Sequence, residues 1–369
     1  MKKFYVIAGE ASGDLHGAHL VKALKKQFPN AIFRGFGGEK MKNEGVYLDL
    51  EIDKLSFMGF AEVIANLRTI FKNIALAKEC ITQFNPSAII YVDFPGFNMR
   101  IANWAKRLGF KNYYYIAPQA WAWKSNRAYK IQKDVDKLFC ILPFEKEFFE
   151  KYGCNVHYVG HPLVDIIQDF KNSIISDSIF SNGQKVIALL PGSRQQEVRK
   201  ILPVQLEAAN KFSSHEIVIA KSSHLPLSLY NDMTHKYGSR VRIIEGKTYE
   251  ILKRADMACV ASGTATLETA LFKVPEVICY KGNLISYHIA KRLVKVPFIG
   301  LANLIMNKKI IEELIQDELT SKNLYKELKK FEEKKYLKDL LEEYNHLEKK
   351  LGLGGAAERT ASIINQDLE

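Results

Sequence analysis

Val186-Ile187-Ala188-Leu189-Leu190-Pro191-Gly192-Ser193-Arg194-Gln195-Gln196-Glu197-Val198 runs from five apolar residues, through a proline, a glycine and a serine, into a helical pattern that lasts to Phe212. An unbroken apolar run of that length suits a strand buried on both faces. Strand, short Gly/Ser loop and helix in that order aim free backbone N–H groups at an anion. Gly192 lets the backbone come close, Ser193 is of the type that caps a helix, and Arg194 carries a planar fork of donors suited to phosphate. The same residues also suit an ordinary βα turn with a surface arginine. The stretch lies mid-chain, where a second domain can begin.

Downstream of it, strands are read over 216–220, 241–244, 257–260 and 276–280, with helical patterns between them. That alternation predicts a parallel sheet covered on both faces. Ala261-Ser262-Gly263-Thr264-Ala265-Thr266-Leu267-Glu268 is a second strand, loop and helix start. Its hydroxyls and N–H groups suit a diphosphate, and Glu268, one turn in, is placed to accept from ribose hydroxyls. Upstream, strands are read over 4–9, 31–36, 88–92, 112–116, 138–142 and 156–159. The first feeds Glu10-Ala11-Ser12-Gly13-Asp14 and a helix in which Leu20, Leu24 and Phe28 recur. G-x-G-x-x-G is missing there, so a dinucleotide cofactor is not indicated.

Asp93 closes the 88–92 strand, where open α/β sheets place ligands, though a carboxylate there can equally cap the turn. His161, between Gly160 and Pro162, suits a rigid turn or a base, and His16, at the start of the first helix, is a second competing base. The loop Pro118-Gln119-Ala120-Trp121-Ala122-Trp123-Lys124 offers two tryptophans for packing or for an apolar ligand. Asp134-Val135-Asp136 spells the D-x-D of metal-holding sugar-nucleotide enzymes, but among Lys130, Lys133 and Lys137 it reads as a solvated helix end. No other cluster has ligand spacing, so no metal is expected.

The chain has 369 residues, which favours two domains, and its 47% apolar and 25% charged residues are globular proportions. The polar run 173–183 is the best linker candidate. The domains are read as 1–170 and 184–350, with a last helix in 351–369 expected to pack back on the first. Five cysteines, with no C-x-x-C pair, suit reduced core residues of a cytosolic protein. A net charge of +12 points to an anionic partner. No apolar run spans a bilayer, but Phe57, Met58 and Phe60, followed by a helical pattern with Arg68 and Lys72, can lie on a membrane surface or pack on a sheet.

The motifs Ala8-Gly9-Glu10-Ala11-Ser12-Gly13-Asp14, Phe57-Met58-Gly59, Asp93-Phe94-Pro95 and the Pro118–Trp123 run resemble the lipid-A-disaccharide synthase family. Leu142-Pro143-Phe144-Glu145, Leu189–Arg194, the Ser262 loop, the 290–295 run and Asn303-Leu304 match it too. The resemblance implies an α/β GT-B fold, two Rossmann-like domains with parallel sheets facing an interdomain cleft. It implies an inverting glycosyltransferase, without cofactor or metal, that moves 2,3-diacylglucosamine from UDP to the 6-hydroxyl of 2,3-diacylglucosamine 1-phosphate (lipid X). Its setting would be the cytoplasmic face of the inner membrane of Gram-negative bacteria, with no nucleic acid partner; a homodimer is left open. Carried onto this chain, the family makes Asp93 and Arg194 catalytic. Gly192, Ser193, Arg194, Ser262, Gly263, Thr264, Thr266, Glu268 and Tyr280 would bind UDP. Glu10, Ser12, Gly13, Asp14, Trp123 and Asn303 would meet the sugars, and Phe57, Met58 and Phe60 the membrane. Many members carry a second aspartate where this chain has Gly96.

Overall fold

The computed structural model describes residues 1–55, 67–123, 125–172, 180, 183–282, 296–352 and 354–369, with Leu67 and Trp123 described by their backbone alone. The linker candidate falls almost wholly, and Phe57, Met58 and Phe60 entirely, outside the described residues. The chain divides into two compact units, Met1–Pro162 with Gly354–Glu369, and Leu163–Leu353.

In the first unit the strands are β1 (Lys3–Ala8), β2 (Ile32–Gly37), β3 (Tyr47–Glu51), β4 (Ala88–Val92), β5 (Asn112–Tyr115), β6 (Lys137–Cys140) and β7 (Val156–Tyr158). They lie in the order β3-β2-β1-β4-β5-β6-β7, every neighbouring pair parallel. Alternate residues of the buried run Phe4–Ala8 serve opposite faces: Tyr5 and Ile7 join one apolar cluster, Phe4, Val6 and Ala8 the other. A strand covered on both faces has no need of polar alternation, which explains the continuous apolar run. The final helix, Ala356–Leu368, closes the second of these faces through Ala357, Ala361 and Ile364. Arg359 Nε donates to the Val159 carbonyl at 2.9 Å, and Tyr113 Oη donates to Asp367 at 2.7 Å.

The second unit repeats the plan with β8 (Lys185–Leu190), β9 (His215–Lys221), β10 (Val241–Glu245), β11 (Met257–Ala261), β12 (Glu276–Tyr280) and β13 (Glu312–Ile315). Their order is β10-β9-β8-β11-β12-β13, again parallel throughout. In each sheet the chain starts at an inner strand, runs outward one way, then returns and runs the other way. The reversal falls between β1 and β4 in the first sheet and between β8 and β11 in the second. At such a point the two connecting loops diverge and leave a crevice at the carboxyl ends of the strands.

Three sequence readings are corrected here. Strands β3 and β13 are not read from the sequence, because Tyr-Leu-Asp-Leu-Glu and Glu-Glu-Leu-Ile carry the charges typical of sheet edges. The D-x-D aspartates are not solvated: buried Asp134 accepts from Asn103 Nδ2 at 3.0 Å, and Asp136 accepts from Lys106 at 2.6 Å and from the Asn112 N–H at 2.8 Å. The helix after β8 is not capped by Ser193. Arg194 holds the cap position, and Glu197 reaches back to its N–H at 3.4 Å. All five cysteines are free and buried.

Candidate active site

The second crevice is lined by the loops after β8 and β11. Gly192 has φ +107, and a Cβ there would lie 2.5 Å from Glu197 Oε2, so only glycine fits the turn. Gly192, Ser193 and Arg194 from the first loop and Ser262, Gly263, Thr264 and Ala265 from the second line one cavity of about 410 Å³. Helix Thr264–Leu271 starts on its wall, so the N–H groups of its first turn and its dipole favour an anion there. Arg194 is exposed and 3.5 Å from Glu197 Oε1, a contact loose enough for a ligand to replace.

The same cavity continues past Ala220, Lys221, Ser222 and Thr248 to Glu268. Glu268 accepts from Tyr249 Oη at 3.2 Å, and burial pushes its carboxyl above the usual range, with that bond opposing. Tyr280 lies in an adjoining cavity of about 220 Å³ with Arg194, Gln196, Lys200 and Lys281. Lys221 and Ser222 were missed in the sequence. Their signal is position alone, the carboxyl end of a strand beside the switch point. Glu197 carries a local one: a glutamate three residues after a helix cap.

The first crevice brings Glu10, after β1, toward Asp93, after β4. Asp93 and Phe94 both take left-handed backbone angles, φ 46 and 52, before helix Pro95–Arg107. Gly9 makes room for this turn, since a Cβ there would meet the Phe94 ring at 2.2 Å. The Asp93 carbonyl accepts from Tyr114 Oη at 2.6 Å and from Asn98 Nδ2 at 2.7 Å, which pins the strained backbone. Burial, and then the Glu10 carboxylate, push the Asp93 carboxyl up to about 6, against the Phe94 N–H that holds it down. Asp93 lines a cavity of about 270 Å³ with Pro95, Ile116, Gln119, Arg127 and Glu145.

Other sequence candidates are placed elsewhere. Asp14 is buried and accepts from the N–H groups of Gly38, Lys40 and Met41 at 2.8–3.1 Å, so it anchors the helix Glu39–Asn43. Gly13 is buried, while Ser12 is exposed. Asn303 is fully buried: its amide donates to the Ile311 carbonyl and to Glu313 at 2.8 Å, and its oxygen accepts from Ile310 and Ile311 N–H. Thr266 is fully buried, and its hydroxyl donates to the Gly263 carbonyl at 2.8 Å, so it shapes the loop without lining the cavity. The Trp123 side chain lies outside the described residues. Burial, with His19 adding, holds the His16 imidazole down at about 4; burial, with His16 adding, holds His161 at about 3. Among the described residues no group of three His, Cys, Asp or Glu side chains comes together to hold a metal.

Two parallel α/β units, each with a crevice at its switch point, make the GT-B fold. The UDP-GlcNAc 2-epimerase from Neisseria meningitidis bound to UDP-GlcNAc superposes with a TM-score of 0.70, covering 99% of this chain and 100% of that one at 13% identity. At that identity the likeness speaks for the fold alone. The chain belongs to the lipid-A-disaccharide synthetase family, whose model matches residues 4–361. The lipid-A-disaccharide synthase of Syntrophus aciditrophicus is 39% identical over 98% of this chain and 96% of its own length. That of Geobacter metallireducens is 35% identical over the same shares. The chain is thus a UDP-sugar-dependent glycosyltransferase of lipid A disaccharide synthesis.

Proposed function

We propose that the 410 Å³ cavity of the second unit holds the UDP of UDP-2,3-diacylglucosamine, and that Asp93 is the base that activates the 6-hydroxyl of lipid X. The observation that carries the donor assignment is the meeting of two anion-suited loops at one switch point, with Arg194 on the first of them. Gly192, Ser193, Ser262, Gly263 and Thr264 would cradle the diphosphate, and Glu268 would accept from the ribose. Tyr280 would stand at the sugar end.

The acceptor oxygen attacks the anomeric carbon as the bond from that carbon to the diphosphate oxygen breaks. UDP leaves with the electron pair, and Asp93 takes the hydroxyl proton. Negative charge grows on UDP in this step, so donors already aimed at it lower the barrier. A base works best when its pKa is near the working pH. Asp93, raised to about 6, is a stronger base than an ordinary aspartate and is still ionised at pH 7. His161 at about 3 and His16 at about 4 are weaker bases, and neither lines the Asp93 cavity.

No helix among the described residues is long and apolar enough to cross a membrane. Both substrates carry acyl chains, which supports a peripheral contact with the bilayer through Phe57, Met58 and Phe60. Replacing those three with Ser should lower binding to anionic vesicles and leave UDP affinity unchanged. Equal vesicle binding would remove the segment from the contact. For the reaction, purified protein with UDP-2,3-diacylglucosamine and lipid X should give the disaccharide 1-phosphate by mass spectrometry. Conversion of the donor to an isomeric UDP-sugar, with no UDP released when the acylated acceptor is added, would argue instead for an epimerase.

A further inference from the structure

Glu145 belongs to a sequence motif to which the reaction above gives no work. Its carboxylate is 1% exposed, and both oxygens are engaged. Oε2 accepts from the N–H groups of Ile141 and Leu142, at 3.1 and 3.0 Å. That is local capping of helix Pro143–Glu150, which a glutamine can also perform. Oε1 does something capping does not require: it accepts from Trp121 Nε1 at 3.0 Å, across a separation of 24 residues. All three partners are donors, so only a carboxylate satisfies them together; an amide would turn its NH₂ toward one of them.

The Trp121 bond joins two loops. Trp121 belongs to the short helix Ala120–Trp123 after β5, and Glu145 opens the helix after β6. The Trp121 ring also stands edge-on to Phe144, with centroids 4.8 Å apart. Gln119, two residues before Trp121, lines the Asp93 cavity, and so does Glu145 itself. The clamp therefore ties the loop that carries Gln119 to the loop that carries Glu145, two walls of the Asp93 cavity. Burial pushes the Glu145 carboxyl up to about 7, while the N–H groups of Leu142, Trp121 and Ile141 pull it down. A buried carboxylate is costly unless so bonded.

We propose that Glu145 is a positioning residue for the acceptor, acting through Trp121 to fix the wall of the Asp93 cavity. This rests on the assignment of that cavity to the acceptor. A displaced wall costs acceptor binding first, because proton transfer depends on Asp93 and departure of UDP on the other unit.

Trp121→Phe keeps the ring against Phe144 and deletes the N–H; Glu145→Gln keeps shape and one acceptor. In steady-state kinetics each should raise the KM for lipid X by about tenfold. Turnover should stay within about threefold of wild type, with UDP affinity unchanged. Because both act through one bond, the double variant should be no worse than Glu145→Gln alone. Wild-type acceptor KM in Trp121→Phe, or additive losses in the double variant, would overturn the proposal. So would a lowered melting temperature with no selective change in KM. If Glu145→Gln fails to fold, Trp121→Phe decides alone. Asp93→Asn measured alongside separates the two assignments: undiminished turnover in that variant sinks the base, while a raised KM in Trp121→Phe still supports the clamp.

Discussion

The two crevices share one architecture and differ in the groups their loops present. Both lie at the switch point of a parallel sheet, one between β1 and β4, the other between β8 and β11. In the second, the loops after the strands offer backbone N–H groups, hydroxyls, Arg194 and Lys221, beside the carboxylates of Glu197 and Glu268. In the first, the Asp93 carboxyl, which burial pushes up to about 6, stands with Arg127 and with Glu145, whose oxygens are taken by three N–H donors. The scaffold supplies a place where a ligand meets strand ends. A few loop residues then settle which groups a ligand meets there. Glycosyl transfer needs both donors and a base, since UDP gains negative charge while the acceptor loses a proton.

The sharpest way to break this contrast is to neutralise the base. Asp93→Asn should lower turnover by roughly 10²–10⁴, with UDP affinity little changed. In wild type, turnover should fall about tenfold per pH unit below about 6, as Asp93 takes up a proton, and the variant should lack that limb. Stability should move the other way. A carboxyl raised in the folded state favours folding when protonated, below its unfolded value of 3.8, and loses that contribution as pH rises through about 6. Asp93→Asn should therefore be more stable than wild type at pH 8, by ~2–3 kcal/mol at most, and not at pH 4. Denaturant melts at the two pH values read this directly. Equal stability at pH 8 would mean that Asp93 is not held as a strained, desolvated carboxylate.

Next in size is Arg194→Ala, expected to cost roughly 10²–10³ in turnover, with poor rescue by Lys, which cannot form a two-point contact. Wild-type turnover would leave the anion to the two loops alone. Glu268→Gln should weaken UDP binding by about tenfold in calorimetry, since a ribose hydroxyl loses a charged acceptor. An unchanged affinity would put the ribose elsewhere. The smallest effect on chemistry should come from Asn303→Ala. Acceptor and donor KM should stay within about twofold, while the loss of its buried hydrogen bonds costs ~2–4 kcal/mol of stability. A large rise in KM with normal stability would return Asn303 to a sugar contact.

Much of this was legible in the chain. Strands buried on both faces announce themselves as apolar runs, so Ala88–Val92 and Glu276–Tyr280 are read to the residue. Edge strands are read less evenly: Val156–Tyr158 and Val241–Glu245 are found, while charged Tyr47–Glu51 and Glu312–Ile315 pass for loop or helix. Family motifs bring Asp93, Arg194 and the Ser262 loop to notice, but also Asp14, Asn303 and Thr266. A motif records that a residue matters to the family and not whether its side chain faces a ligand. Asp14 spends its carboxylate on three backbone N–H groups, Asn303 its amide on a buried turn, and Thr266 its hydroxyl on its own loop.

By itself the sequence determined the element types, the parallel α/β class, the anion-suited loops and the family, because each is written in local periodicity or in short contiguous motifs. Only the tertiary structure decided which loops share a crevice. Strand order brings residue 93 to residue 10, and residue 262 to residue 193, and no local pattern encodes that pairing. It also decided the chemistry of the carboxyls. The Asp93 carboxyl rises to about 6 because neighbouring strands and helices take it out of water, and desolvation is a property of everything packed around a group.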